Sequence, residues 1–121
     1  TREQGIKRAF SAFPALSTIA CTARAQDSVS NQTLTGELHT RDDACISRPH
    51  DMTNIVDRIG GGDAFAAGVL HGLIGGFKPQ RIIEFATAAS TIKHSISGDW
   101  NLTNLAEVEE AMNENGLDVR R

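Results

Sequence analysis

The chain has little that would commit it to a membrane, a nucleic acid or an oxidised scaffold. Its longest apolar stretches, such as residues 64–70, are too short to cross a bilayer. It lacks a basic excess: 12 basic and 15 acidic side chains give a formal charge of −3. The first 60 residues balance at seven of each sign, so the acidic surplus falls in the second half. With no basic stripe, a nucleic-acid-binding module is not expected. Cysteine is scarce. Cys21 and Cys45 form no disulfide framework and have no metal-ligand spacing, so both are read as reduced core residues, in keeping with a cytoplasmic protein. The four histidines, His39, His50, His71 and His94, show no paired ligand spacing, and none is assigned to a metal. No secretory signal is read at the start, no internal repeat is seen, and the chain opens on Thr1.

What is present is a 40% hydrophobic share over 121 residues, enough for one globular domain or part of one. Ile6, Ala9, Phe10 and Phe13 recur at helical spacing and predict a helix over 2–12, stopped by Pro14. Residues 16–22 read as a buried strand, followed by an irregular polar stretch to 31. Residues 33–39 and 44–47 read as strands about a loop at 40–43, with a further short strand at 54–56. Residues 63–70 begin an apolar helix rich in small side chains that ends near Gly75-Gly76. Pro79 starts the next, running to about Lys93. Ser97-Gly98-Asp99 predicts a turn. Thr103 or Asn104 caps a last helix, with Leu105, Val108 and Met112 facing inward. Strands followed by helices packed on them predict a layered α/β fold.

Gly60-Gly61-Gly62 between a strand and a helix is the most informative segment. Glycines let several backbone N–H groups converge at the positive end of a helix, where a phosphate is favoured. The dinucleotide fingerprint is excluded because Phe65 stands where its last glycine is needed. The P-loop is excluded because Asp63 stands where a lysine would be. A carboxylate beside a phosphate cradle needs another task, and accepting a proton from an attacking hydroxyl is one. The alternative is a tight turn capped by Asp63.

The run Asp57-Arg58-Ile59-Gly60-Gly61-Gly62-Asp63-Ala64-Phe65-Ala66-Ala67-Gly68 resembles the second signature of the ribokinase-like (PfkB) carbohydrate kinases. Together with Lys93-His94-Ser95-Ile96-Ser97-Gly98-Asp99-Trp100, it is similar to the 2-dehydro-3-deoxygluconate kinase branch. The resemblance implies the C-terminal portion of a three-layer αβα sandwich. Residues 1–121 would form the nucleotide-binding and catalytic part of one kinase domain, without its N-terminal half and lid.

It further implies Asp63 as catalytic base and Gly60, Gly61 and Gly62 as an anion hole for the transferring phosphoryl group. A helix start favours the ionised carboxylate, which suits a late proton transfer. Gly61 replaces the family's commoner alanine. Thr22, Arg24 and Thr87 are implied ATP contacts; Arg24 as a solvated loop residue and Thr87 as a helix-packing residue stay open. Asp99 is an implied substrate ligand, with an Asx turn or helix cap as its alternative, and Trp100 beside it would wall the pocket or cover the core. ATP and a sugar acid are the implied small-molecule partners, with Mg²⁺ arriving on the nucleotide. The family's acidic Mg²⁺-associated motif is not in this chain. Arg58 and Ile59 depart from the usual threonines near the monovalent-cation site, so potassium dependence stays open. The full-length form is implied to pair into a homo-oligomer through the lid. A fructokinase or ribokinase, or an inactive nucleotide-binding fragment, are the alternatives.

Overall fold

The computed structural model describes residues 1–26, 32–52, 55, 59–94 and 104–117, with side chains of the last helix to Asn113. Among these residues, four helices and four strands follow one another as α1 (Arg2–Ala12), β1 (Ile19–Gln26), β2 (Gln32–His39), β3 (Ala44–Ile46), β4 (His50–Met52), α2 (Gly61–Ile74), α3 (Pro79–Lys93) and α4 (Leu105–Leu117). The fold is mixed α/β, as expected. The sheet is antiparallel throughout the described strands: β2 lies beside β1 on one edge, and β3 and β4 pair with its other edge.

Strand β2 explains the layering. Leu34, Gly36 and Leu38 alternate to one face and are buried, while Thr33, Thr35, Glu37 and His39 alternate to the other. Helix α3 lies against the buried face and is itself enclosed, because its sequence is apolar or small on nearly every side. Ile83 and Ala86 meet Leu38, Phe65 and Val69 in one cluster; Phe85, Ala88 and Ala89 meet Val108 and Met112 in a second. Full burial of a side chain such as Leu38 or Ile83 contributes about 1.5–3 kcal/mol. Helix α2 approaches α3 closely: a Cβ at Gly68 would stand 2.7 Å from the Ala86 Cα, a backbone atom that cannot move aside cheaply.

Helix α1 lies on the opposite side. Thr1 and Gln4 form a reciprocal capping box at its start. Arg2 reaches Glu37 at 3.1 Å and the Thr22 carbonyl at 3.0 Å, and Arg41 donates to the carbonyls of Phe10, Phe13 and Pro14. The helix is where the periodicity places it, but none of its residues is buried and Phe13 is 63% exposed. Periodicity fixed the apolar stripe without supplying a surface to cover it.

Three other expectations are corrected. β1 runs on to Gln26, because eight consecutive residues pair with β2, from Ile19↔His39 to Gln26↔Gln32, and the ladder overrides a polar local sequence. Helix α2 begins at Gly61, so two of the three glycines belong to its first turn. Leu105, expected inside, is 49% exposed, whereas Val108 and Met112 are buried. Asn104 caps α4, accepting from the Glu107 amide at 2.9 Å while Glu107 accepts from the Asn104 amide. The strand expected at 54–56 and the turn at 97–99 lie outside the described residues, apart from Ile55.

His50 on β4 is fully buried, with Nε2 4.0 Å from Glu84. Burial pushes its pKa below the ordinary 6.5, against the pull of Glu84. An unfolded chain therefore binds the proton more readily than the folded one. Stability should be full above about pH 6.5 and fall as the pH drops below it. Denaturant melts between pH 8 and 5 should show this decline, and His50→Gln should flatten it.

Candidate active site at the start of helix α2

Gly60 is the N-cap of α2, with φ 83°, a left-handed conformation suited to glycine. Its carbonyl accepts from the Ala64 amide at 2.9 Å, which closes the first turn. The earlier amides, those of Gly61, Gly62 and Asp63, point out of the helix start, and no cap side chain accepts from them. Donors without an acceptor among the described residues, at the positive end of a 14-residue helix, are suited to an anion. The space above them is open on one side: a Cβ added at Gly62 would meet nothing within 4 Å.

Asp63 follows directly, exposed, on the first turn. It does not cap the helix, so the capping alternative is not what the structure displays. Its carboxylate makes none of the ion pairs or side-chain hydrogen bonds among the described residues. It is the only carboxylate of α2. A free carboxylate beside unpaired amides can accept a proton from a hydroxyl brought next to a bound phosphate.

Beneath the turn lies a feature with no sequence motif behind it. His94, 2% exposed at the end of α3, packs directly under Gly61. A Cβ at Gly61 would stand 2.8 Å from the His94 Cε1. A side chain of any size at this position would therefore force the imidazole or the turn to shift. The imidazole Nδ1–H donates to the Ser90 carbonyl at 2.7 Å, which leaves Nε2 to accept from Arg24 Nη2 at 2.9 Å. The Ser90 hydroxyl donates to the Gly61 carbonyl at 2.9 Å. A hydrogen-bonded cluster, buried at Ser90 and His94 and exposed at Arg24, thus ties the glycine turn, the end of α3 and strand β1 together. The signal in the sequence was the middle glycine of the three, a demand for a missing side chain that named no partner.

The other expected residues divide. Arg24 stands on β1 rather than in a loop. It shares a sheet face with Thr22, two residues away, because their partners Leu34 and Gly36 both belong to the buried face of β2. Through His94 it is brought to the glycine turn. Thr22 is half-buried one step along the same strand. Thr87 is not brought to any opening: it is fully buried, and its hydroxyl donates to the Ile83 carbonyl at 2.7 Å under Gly36. That placement fits the helix-packing alternative. Asp99, Trp100, Asp57 and Arg58 lie outside the described residues.

Among the described residues, cavities do not single out this turn. The largest described, about 600 Å³, lies between α1 and β2, on the far face of the sheet. A shallower groove of about 220 Å³ runs between α2, α3 and α4 beside Ala64, Gly68 and His71, with His71 stacked on Phe85. The chemistry of the orphaned amides, not cavity size, picks out the start of α2. No helix among the described residues is long and apolar enough to cross a membrane.

Comparison with known proteins bears on the family and the fold. Residues 35–118 match the model of the pfkB family carbohydrate kinases. No curated protein sequence matches the chain. Among solved structures, a PfkB family carbohydrate kinase from Listeria grayi superposes with a TM-score of 0.84 at 34% identity, over 89% of this chain and 34% of that one. A 2-dehydro-3-deoxygluconokinase from Thermotoga maritima gives 0.83 at 28% identity, over 91% of this chain and 33% of that one. A candidate 2-keto-3-deoxygluconate kinase from Enterococcus faecalis gives 0.81 at 33% identity, over 96% and 33%. The chain therefore spans about a third of the length of each of these structures. With the family match extending from β2 into α4 and the glycine turn inside it, the chain belongs to the pfkB family of carbohydrate kinases.

Proposed function

We propose that these residues are the catalytic third of an ATP-dependent kinase that phosphorylates 2-dehydro-3-deoxy-D-gluconate at its terminal hydroxyl. The observation that carries this reading is the set of uncapped amides at the start of α2 with Asp63 beside them, its carboxylate without a partner among the described residues. The substrate rests on two similar structures, whose own names carry this sugar acid or its synonym.

In this account the sugar hydroxyl oxygen attacks the γ-phosphorus. A new O–P bond forms, the bond from the γ-phosphorus to the bridging oxygen breaks, and ADP leaves. Asp63 orients the hydroxyl and takes its proton late in the step. The transition state carries charge on its equatorial oxygens, and the amides of Gly61, Gly62 and Asp63 stabilise it without rearrangement. Gly60 sets the turn that aims them. Arg24, placed by His94, adds a positive charge at the same end. Thr22 lies on its path to the nucleotide, while Thr87 supports the site through packing. Asp99 is proposed to receive hydrogen bonds from the sugar acid's hydroxyls. Mg²⁺ would neutralise phosphate charge when it arrives with ATP. The single carboxylate of α2 is not by itself a ligand set for it.

Residues 1–121 are proposed as the C-terminal part of one domain. β1 has a partner on one edge alone among the described strands. Beside it, Ala20, Phe65, Val69 and Leu70 line an apolar groove of about 270 Å³, and Leu70 is 57% exposed. These are surfaces for the rest of the sheet. By itself the 121-residue chain is expected to be inactive.

The substrate is tested with the full-length enzyme, ATP and a panel of sugars and sugar acids. The highest kcat/KM is expected for the 2-keto-3-deoxy sugar acid. Preference for fructose or ribose would overturn the substrate assignment and leave the family in place.

A further inference from the structure

On the face of the sheet away from the glycine turn, Cys21, Glu37 and His39 converge. Cys21 on β1 is the direct cross-strand partner of Glu37 on β2, and His39 is two residues further along the same face. No spacing in the sequence announces this group, because the pairing of two strands makes it. The thiol sulfur, one carboxylate oxygen and one imidazole nitrogen all lie within 4.8 Å of one another, and all three residues are half-buried. Glu37 Oε1 is their common point, 2.9 Å from His39 Nε2 and 3.9 Å from Cys21 Sγ. The other oxygen, Oε2, is held by Arg2 at 3.1 Å.

We propose that Cys21, Glu37 and His39 form a binding site for a zinc-like divalent cation. Sulfur, nitrogen and oxygen donors together suit zinc, which takes these three ligand types in tetrahedral sites. Bond lengths of about 2.0–2.3 Å to a tetrahedral ion put ligand atoms about 3.4–3.6 Å apart. The 2.9 and 3.9 Å separations to Glu37 bracket that range, and the sulfur and the imidazole nitrogen, within 4.8 Å of each other, would draw together around an ion. Arg2 serves as the outer partner that orients the carboxylate, a usual companion of a metal ligand. Glu37 and His39 also line the 600 Å³ cavity beneath α1, so the fourth position opens to water or a small ligand.

Proton bookkeeping gives the site a signature. In the metal-free state the His39 Nε2–H donates to the carboxylate, and burial together with Glu37 pushes the Cys21 pKa up. Binding moves the imidazole proton to Nδ1 and expels the thiol proton to solvent. One proton is released per ion, so affinity rises with pH. The ion would pin β1 to β2 at the end of the ladder nearest α1's cavity. This site is independent of the kinase reading.

The test is titration of the full-length protein with Co²⁺ and with Zn²⁺ in the absence of nucleotide. One Co²⁺ per site with a thiolate-to-cobalt charge-transfer band is expected. Cys21→Ser should abolish the band, and Cys45→Ala should keep it. His39→Ala should weaken Zn²⁺ binding by more than about a hundredfold, since outer partners of metal ligands alone carry 10–100-fold. A protein without that band, a band that survives Cys21→Ser, or Zn²⁺ binding unchanged by His39→Ala would overturn the assignment.

Discussion

Replacing Asp63 by Asn in the full-length enzyme is expected to lower kcat by about 10²–10⁴-fold, the usual contribution of a positioned general base. The KM for ATP should change little. Asparagine is nearly isosteric and can still orient a hydroxyl, but it cannot accept its proton. Because Asp63 is exposed and its carboxylate makes no hydrogen bond or ion pair among the described residues, the substitution removes little packing. A thermal melt of the variant should match the parent. Steady-state kinetics at saturating sugar checks the prediction. Turnover within about tenfold of the parent would remove Asp63 from the chemistry.

The second large effect is expected at Gly61. Gly61→Ala places a methyl group 2.8 Å from the His94 Cε1, under the turn. His94 is anchored on both sides by Ser90 and Arg24, so it cannot yield freely. Either the turn or the imidazole must shift. Misplacing one donor of an anion hole costs about 10²–10³ in kcat. Overpacking adds about 1–3 kcal/mol of destabilisation. Truncating the obstacle should rescue the defect: in a His94→Ala background, Gly61→Ala should cost far less in kcat than it does alone. A double-mutant cycle on kcat and melting temperature reads this coupling directly. Gly62→Ala is the contrast, since its methyl would meet no protein atom within 4 Å. It should leave stability unchanged and act only on phosphate binding.

Local features of this fold could be read from the sequence, and contacts between distant segments could not. The glycine turn, the start of α3 at Pro79 and the Asn104 cap are set by residues within one turn of one another. The alternation in β2 was legible because one of its faces is buried. The length of β1 was not, because its last four residues are held by β2 rather than by their own propensity. The exposure of Phe13 and Leu105 was equally out of reach, since periodicity says which side of a helix is apolar and not what covers it.

The candidate site divides in the same way. Asp63 and the glycines stand on consecutive residues, so a local motif can point to them. The family resemblance pointed to Arg24, but what holds it, His94, comes from 70 residues further along. Thr87 was ambiguous on paper because a small polar residue in a helix can line a pocket or fill a close approach. Full burial and the bond to Ile83 favour the second role.

The central claim is that the amides at the start of α2 hold the phosphoryl group in flight. It is tested most directly by following the backbone amide resonances of the full-length enzyme during titration with Mg·ADP and aluminium fluoride, a mimic of the transferring group, in the presence of the sugar acid. The account predicts that the signals of Gly61, Gly62 and Asp63 move together and saturate with the ligand. Resonances for these three that stay in place while others shift would contradict it.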